Sequence, residues 1–152
     1  MPKVSFVIPA YNIESYIGRC LKSVQNQTFV DFEAIVVDDA STDATPEKIV
    51  EAVGDDSRFK VVTHPTNQGL HLARKTGAAH TTGEWVFCLD GDDEVTADFL
   101  EQVVAHIQKN PVDILHLGIT VIPENGVSEA EAEGFGSFIN QQSHFTQGKE
   151  IL

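Results

Sequence analysis

Two hydrophobic rhythms alternate along this chain. Short apolar runs occur at Val4-Ser-Phe-Val-Ile8, Ala34-Ile-Val-Val37, Phe59 to Thr63 and Trp85-Val-Phe-Cys-Leu89. Their length and composition predict strands. Between them the spacing becomes helical. Ile17, Leu21 and Val24 mark a helix from about Glu14 to Gln27; Ile49, Val50 and Val53 mark a second, with Thr45 as its cap and Pro46 as its first residue. A third runs from Gly69 to about Ala79, with a small inner face of Ala73, Gly77 and Ala78 that permits close approach at a cost in helix propensity. Thr96 is expected to cap a fourth, carrying Phe99, Leu100, Val103, Val104 and Ile107 and ended by Asn110-Pro111. A strand over 114–122 should follow.

Strands alternating with helices predict right-handed βαβ units: an α/β domain with a mostly parallel sheet and helices on both faces. Pro9 is expected to stop the first strand, and the five consecutive apolar residues before Asp90 predict a strand buried on both faces. After Pro123 four glutamates interspersed with three glycines read as an acidic loop, and Ser137 to Leu152 as a strand with the start of a helix. The expected division is therefore 1–122 and 123–152.

The densest chemistry lies at Asp90-Gly-Asp-Asp93, three carboxylates in four residues at the end of that apolar strand. Open α/β sheets bind ligands at the carboxyl ends of their strands. Carboxylates this close repel one another unless a cation lies between them, and a divalent metal shared with a diphosphate suits an all-oxygen set. Two more polar stretches should reach the same edge: Pro9-Ala-Tyr-Asn12 and Asp38-Asp39-Ala-Ser-Thr-Asp43. Taken singly, each also reads as a turn and helix cap.

Composition narrows the partners. The chain has 152 residues, and 10 basic against 23 acidic side chains give a formal charge of −13. Nucleic acid, which is held through clustered Lys and Arg, is excluded as a partner. A nucleotide held through a metal is compatible, because the cation brings the positive charge. Cys20 and Cys88 fall on faces expected to be buried and lack zinc spacing, which predicts free thiols in a reducing compartment, the cytoplasm. No run approaches the length of a membrane span, so any membrane association is expected to be peripheral. The six histidines show no metal-site spacing.

Five stretches in order resemble the family 2 glycosyltransferases. They are Val4 to Asn12, Ser23-Val-Gln-Asn-Gln-Thr-Phe29, Val36 to Asp43, Asn67-Gln-Gly69 with Ala73-Arg74, and Leu89 to Asp93. The resemblance implies a Rossmann-like GT-A nucleotide-binding fold, followed in the family by an acceptor-binding half. It also implies a nucleotide-sugar donor, UDP-linked by preference, a saccharide or glycolipid acceptor, and inversion at the anomeric carbon. Asp39 matches the acid that receives the N3–H of uracil, Tyr11 the aromatic that stacks on the base, and Pro9 the residue shaping the loop beneath. Asp90 and Asp92 match the Asp-x-Asp pair, Asp90 toward the nucleotide sugar and Asp92, with Asp93, toward Mn²⁺ or Mg²⁺. Glu14 accompanies the Tyr-Asn turn in relatives, and Arg74 is a candidate for the phosphates. Where the family has Asn after that Arg, this chain has Lys75. The family's catalytic base is expected beyond Leu152, so the 152 residues should bind donor and metal but transfer poorly. The alternative readings are a haloacid-dehalogenase-type phosphatase, a phosphoacceptor receiver domain and a non-catalytic nucleotide-binding domain.

Overall fold

The computed structural model describes residues 1–110, 112–115 and 117. The elements alternate without exception: β1 (Val4–Ala10), α1 (Ile17–Gln25), β2 (Phe32–Asp38), α2 (Thr45–Val53), β3 (Phe59–Thr63), α3 (Leu70–Ala79), β4 (Trp85–Cys88) and α4 (Phe99–Lys109). The four strands form one parallel sheet in the order β3-β2-β1-β4. The strand expected over 114–122, the acidic loop and the division at 122/123 lie wholly or mostly outside the described residues. The chain separates into two compact units, Met1–Val103 and Val104–Leu152, and the sheet belongs to the first. Among the described residues no helix is long and apolar enough to cross a membrane.

β1 is the central strand, and all seven of its residues are buried. Alternation along it separates two packing layers. On one, Val7, Ile35 and Val37 meet α3 at Ala73 and Gly77. On the other, Phe6 lies edge-on to Phe32 and Phe87, with ring centroids 5.8 and 5.7 Å away, and Phe99 closes the cluster against Phe87 at 4.9 Å. The helix pair α1 and α2 packs side by side. The small inner face of α3 has its reason here: a Cβ on Gly77 would stand 2.4 Å from Val7 Cγ1.

Four expectations are corrected. Pro9 does not stop β1 but pairs opposite Val37, and the strand continues to Ala10. The Val7 carbonyl accepts from Leu89 N, so odd positions of β1 face β4. Pro9 therefore aims its missing donor past the last β1–β4 pair, Val7 and Cys88, where none is needed. Second, β4 is not buried on both faces. It is the outer strand of the described sheet while α3 sits over β1 and β2, so Val86 and Cys88 are exposed.

Third, Thr45 does not cap α2. Ala44 takes the cap position, and the buried Thr45 Oγ1 instead accepts from Ile13 N at 2.8 Å, across to the first loop. Fourth, the Thr96 hydroxyl donates to the Asp98 carboxylate, and the first turn of α4 is served from a distance. Gln27 Oε1 accepts from Leu100 N at 2.9 Å, while its Nε2 donates to the carbonyls of Ser23 and Thr96. One buried amide thus joins the end of α1 to the start of α4.

Two glycines test this packing. Gly77→Ala is expected to destabilise by about 1–3 kcal/mol, because Val7 is fully buried and cannot move aside. Gly18→Ala, in α1 with nothing within 4 Å of the added carbon, should be neutral or stabilising by up to about 1 kcal/mol. Urea midpoints of the two variants measure the difference.

Candidate functional site

Strand order reverses beside β1: the first two crossovers step toward β3, and the third returns to place β4 on the other side. Loops leaving β1 and β4 must diverge there, and a crevice opens at their carboxyl ends. The structure holds a cleft of about 430 Å³ at this point, with Pro9, Tyr11, Asp39, Asn67, Asp90 and Asp92 in its walls. Acids from the second and fourth strands therefore share one cavity. Three other candidates, Glu14, Arg74 and Asp93, do not line it.

The loops after β1 and β2 are knitted to each other. Asn12 adopts φ 51°, a left-handed conformation that asparagine tolerates. Its N–H donates to Ser41 Oγ, and its Oδ1 accepts from Thr42 N at 2.8 Å, so it does not cap α1. Glu14 lies beside them. Its Oε2 accepts from Ala44 N at 2.8 Å at the entrance of α2, and its own N–H donates to Asp43 Oδ2. Asp43 Oδ1 accepts from Thr45 N. Burial would raise the Asp43 carboxyl, but the Thr45 and Glu14 donors outweigh it and hold the group low. Tyr11 stands half-exposed at the rim of the cleft.

Asp39 is the most heavily held acid in the cleft. Its residue is buried, and its Oδ1 faces His64 Nδ1 at 2.6 Å and accepts from Gln68 N at 2.9 Å. Its Oδ2 accepts from Gly69 N at 2.7 Å. Burial alone would raise this carboxyl; the Gln68 N–H, the His64 ring and the Gly69 N–H together hold it below the usual carboxylate range. It is therefore an ionised acceptor at neutral pH. Neither His64 nor the Gln68–Gly69 amides were identified from sequence as part of the site. The available signal is a histidine directly after a strand and just before Asn67-Gln-Gly69.

The acidic turn after β4 is fixed from beneath. Gly91 is buried, and a Cβ there would lie 2.7 Å from the Pro9 carbonyl oxygen and 2.6 Å from Ile13 Cδ1. Only glycine lets the turn sit this close to the end of β1. Arg74 Nη2 donates to Asp90 Oδ1 at 2.5 Å, so the guanidinium reaches the acidic turn from α3 and neutralises its first acid. Among the described residues its Nε is buried without a partner. Asp92 and Asp93 are exposed. Partial burial, then the charges of Asp92 and Asp90, push the Asp93 carboxyl up. Below them Cys20 donates to the Asp90 carbonyl, its thiol pushed up to about 12 by burial and by Asp93 and Asp92. Cys20 is buried as expected, whereas Cys88 is exposed.

These residues fit a nucleotide-bound divalent cation better than a cation caged by protein alone. Among the described residues no group of three or more His, Cys, Asp and Glu side chains is assembled to hold a metal. Magnesium-type sites use one or two carboxylates and take their remaining oxygens from phosphate and water. Asp92 and Asp93 supply such a partial set, and the raised Asp93 carboxyl is what a cation would relieve.

The model of Glycosyl transferase family 2 matches residues 5–151. EpsH of Bacillus subtilis is 42% identical over 103 residues, 68% of this chain and 30% of its own. The UDP-Glc:alpha-D-GlcNAc-diphosphoundecaprenol beta-1,3-glucosyltransferase WfgD of Escherichia coli is 33% identical over 82% of this chain and 48% of its own. Among solved structures, S. aureus TarS 1-349 in complex with UDP superposes with a TM-score of 0.75 at 34% identity, over 83% of this chain and 38% of that one; it is also known with UDP-GlcNAc. The mannosyltransferase PcManGT of Pyrobaculum calidifontis, in complex with GDP-Man and Mn²⁺, gives 0.67 at 28% identity, over 73% and 34%. The chain spans less than half the length of these relatives.

The state of Asp39 sets a pH signature. A carboxyl held low in the folded protein contributes stability above its unfolded pKa of about 3.9, and that contribution is lost as pH falls through the folded value. Asp39→Asn should cost about 2–3 kcal/mol near neutral pH, and the gap to the parent protein should narrow in acid. Urea unfolding from about pH 7 to about pH 3 measures it.

Proposed function

Because the chain belongs to glycosyl transferase family 2, we propose that its cleft binds the nucleoside diphosphate of a sugar donor, UDP-linked, for transfer to a saccharide or glycolipid acceptor. The observation carrying this reading is one cavity walled by Asp39 and Asp92, the first with its carboxylate fixed by N–H donors, the second exposed and uncommitted. The first is suited to a base and the second to a divalent cation carried by a diphosphate. TarS supports the choice of UDP, as does the name of WfgD, which also supports a glycolipid acceptor.

In this reading Asp39 accepts the N3–H of uracil, Tyr11 stacks on the ring, and Pro9 forms the floor. Asp90 lies toward the nucleotide sugar, steadied by Arg74, which is the candidate for the phosphates. Asp92 and Asp93 would hold Mn²⁺ or Mg²⁺, a choice supported by the Mn²⁺ of PcManGT. When bound, that cation supplies charge stabilisation to the departing nucleoside diphosphate. Glu14 acts indirectly, by fixing the loop that carries Tyr11. No base is assigned among the described residues. Inversion in a single displacement, and a cytoplasmic location consistent with two free cysteines, complete the proposal.

Calorimetry with UDP, UDP-sugars and GDP-sugars, with and without Mn²⁺, tests it. UDP binding should strengthen with Mn²⁺, and Asp92→Asn should weaken the metal-dependent part by about ten-fold or more. Binding indifferent to Mn²⁺, to Asp92→Asn and to Asp39→Ala overturns the reading.

A further inference from the structure

An acid that reads a nucleotide base must present one lone pair in one direction, so the geometry around Asp39 determines more than its charge. An ionised carboxylate has about four acceptor sites, two on each oxygen. Both sites on Oδ1 are occupied, by His64 and by Gln68 N. On Oδ2 one is occupied, by Gly69 N. A single acceptor site is left, and Asp39 lines the cleft.

Two of the three donors are backbone amides, which any sequence with this loop would supply. His64 is the side chain in the set. It directly follows β3, is itself buried, and does not line the cleft. Its far nitrogen, Nε2, lies 2.9 Å from Thr76 Oγ1 on α3. Because Asp39 is ionised and can only accept, the proton of the short contact sits on His64 Nδ1. The Thr76 hydroxyl rotates to donate or to accept, so it steadies the ring whether Nε2 is bare or protonated. The chain from Thr76 through His64 to Asp39 thus braces the carboxylate through residues outside the cleft lining.

We propose that His64 is a positioning residue: by filling Oδ1 it leaves Asp39 one fixed acceptor site and so sets selection for a base with a ring N–H over a base with a bare ring nitrogen. The inference rests on the reading of the cleft given above. Uracil presents N3–H to that site. Cytosine presents an N3 lone pair, which meets the carboxylate with repulsion unless the group turns or takes a proton. His64 and the two amides oppose both. Without His64, Oδ1 regains an open acceptor site that water or a proton can occupy, and the carboxylate loses its lateral brace.

The test compares UDP with CDP by calorimetry, in Mn²⁺, on the full 152-residue chain and three variants. The parent protein should prefer UDP. His64→Leu should reduce the UDP:CDP ratio by about ten-fold or more, the scale on which a hydrogen bond to a charged group changes an equilibrium. His64→Asn, whose side-chain amide can replace the Nδ1 donor, should keep most of the preference. Thr76→Val, which leaves the ring without its outer partner, should lower it by a few-fold. A folded His64→Leu protein with the parent ratio overturns the proposal. So does an asparagine variant as indifferent as leucine, since the donor would then not be what matters. Should His64→Leu fail to fold, Thr76→Val decides: a reduced ratio supports the brace and an unchanged one overturns it. A parent protein that does not distinguish UDP from CDP removes the uracil reading itself, before any variant is measured, and the inference falls with it.

Discussion

The reversal of strand order beside β1 is the constraint on which the site depends. Parallel strands force every connection to cross the sheet, so loops emerge at one edge. The third crossover, by placing β4 on the far side of β1, separates two neighbouring loops. Pro9 and Gly91 tune that separation. The proline adds no donor where β1 and β4 part, and the glycine brings the acidic turn to within contact of the Pro9 carbonyl. The crevice is therefore open above and tightly closed below. α1 and the residues just after it form the keel of the turn, through Cys20 on the Asp90 carbonyl, Ser23 on Val95 N, and Gln27 on Thr96 and Leu100.

An acidic chain has to manage its carboxylates, and here they divide by partner. Asp43 and Glu14 are held by backbone amides and fasten two loops together. Asp39 is held by amides and an imidazole, and Asp90 by a guanidinium. Asp92 and Asp93 are left facing water, with Asp93 raised by its surroundings. The division explains why the Asp90–Asp93 cluster is tolerable: among the described residues Asp90 has a cationic partner, and the two acids proposed to meet a cation face water.

Local pattern carried the elements, and contacts between distant segments carried most of the misses. Strand alternation, β3 and the small face of α3 follow from periodicity, because each depends on residues close in sequence. Thr45 and Thr96 look like caps for the same reason, yet Thr45 is taken by Ile13 and the role of Thr96 passes to Gln27. No local rule indicates either exchange. Pro9 continues its strand because a strand's tolerance for proline depends on which neighbour its nitrogen faces. β4 is less buried than its continuous apolar run suggests, because the run does not reveal that, among the described strands, it lies at the edge. In the site, Asp39, Asp90 and Asp92 were legible as acids at strand ends. His64 was not, since a lone histidine signals nothing until β3 delivers it to Asp39.

Gln27 has a consequence for the ageing of this protein. Its amide faces three backbone groups, two carbonyls that need its hydrogens and one N–H that needs its oxygen. Deamidation to glutamate would keep the acceptor for Leu100 but turn negative oxygen toward the carbonyls of Ser23 and Thr96. A change of a single atom group, remote from the cleft, would thus loosen the acidic turn from its keel and degrade the site without altering any residue in its walls.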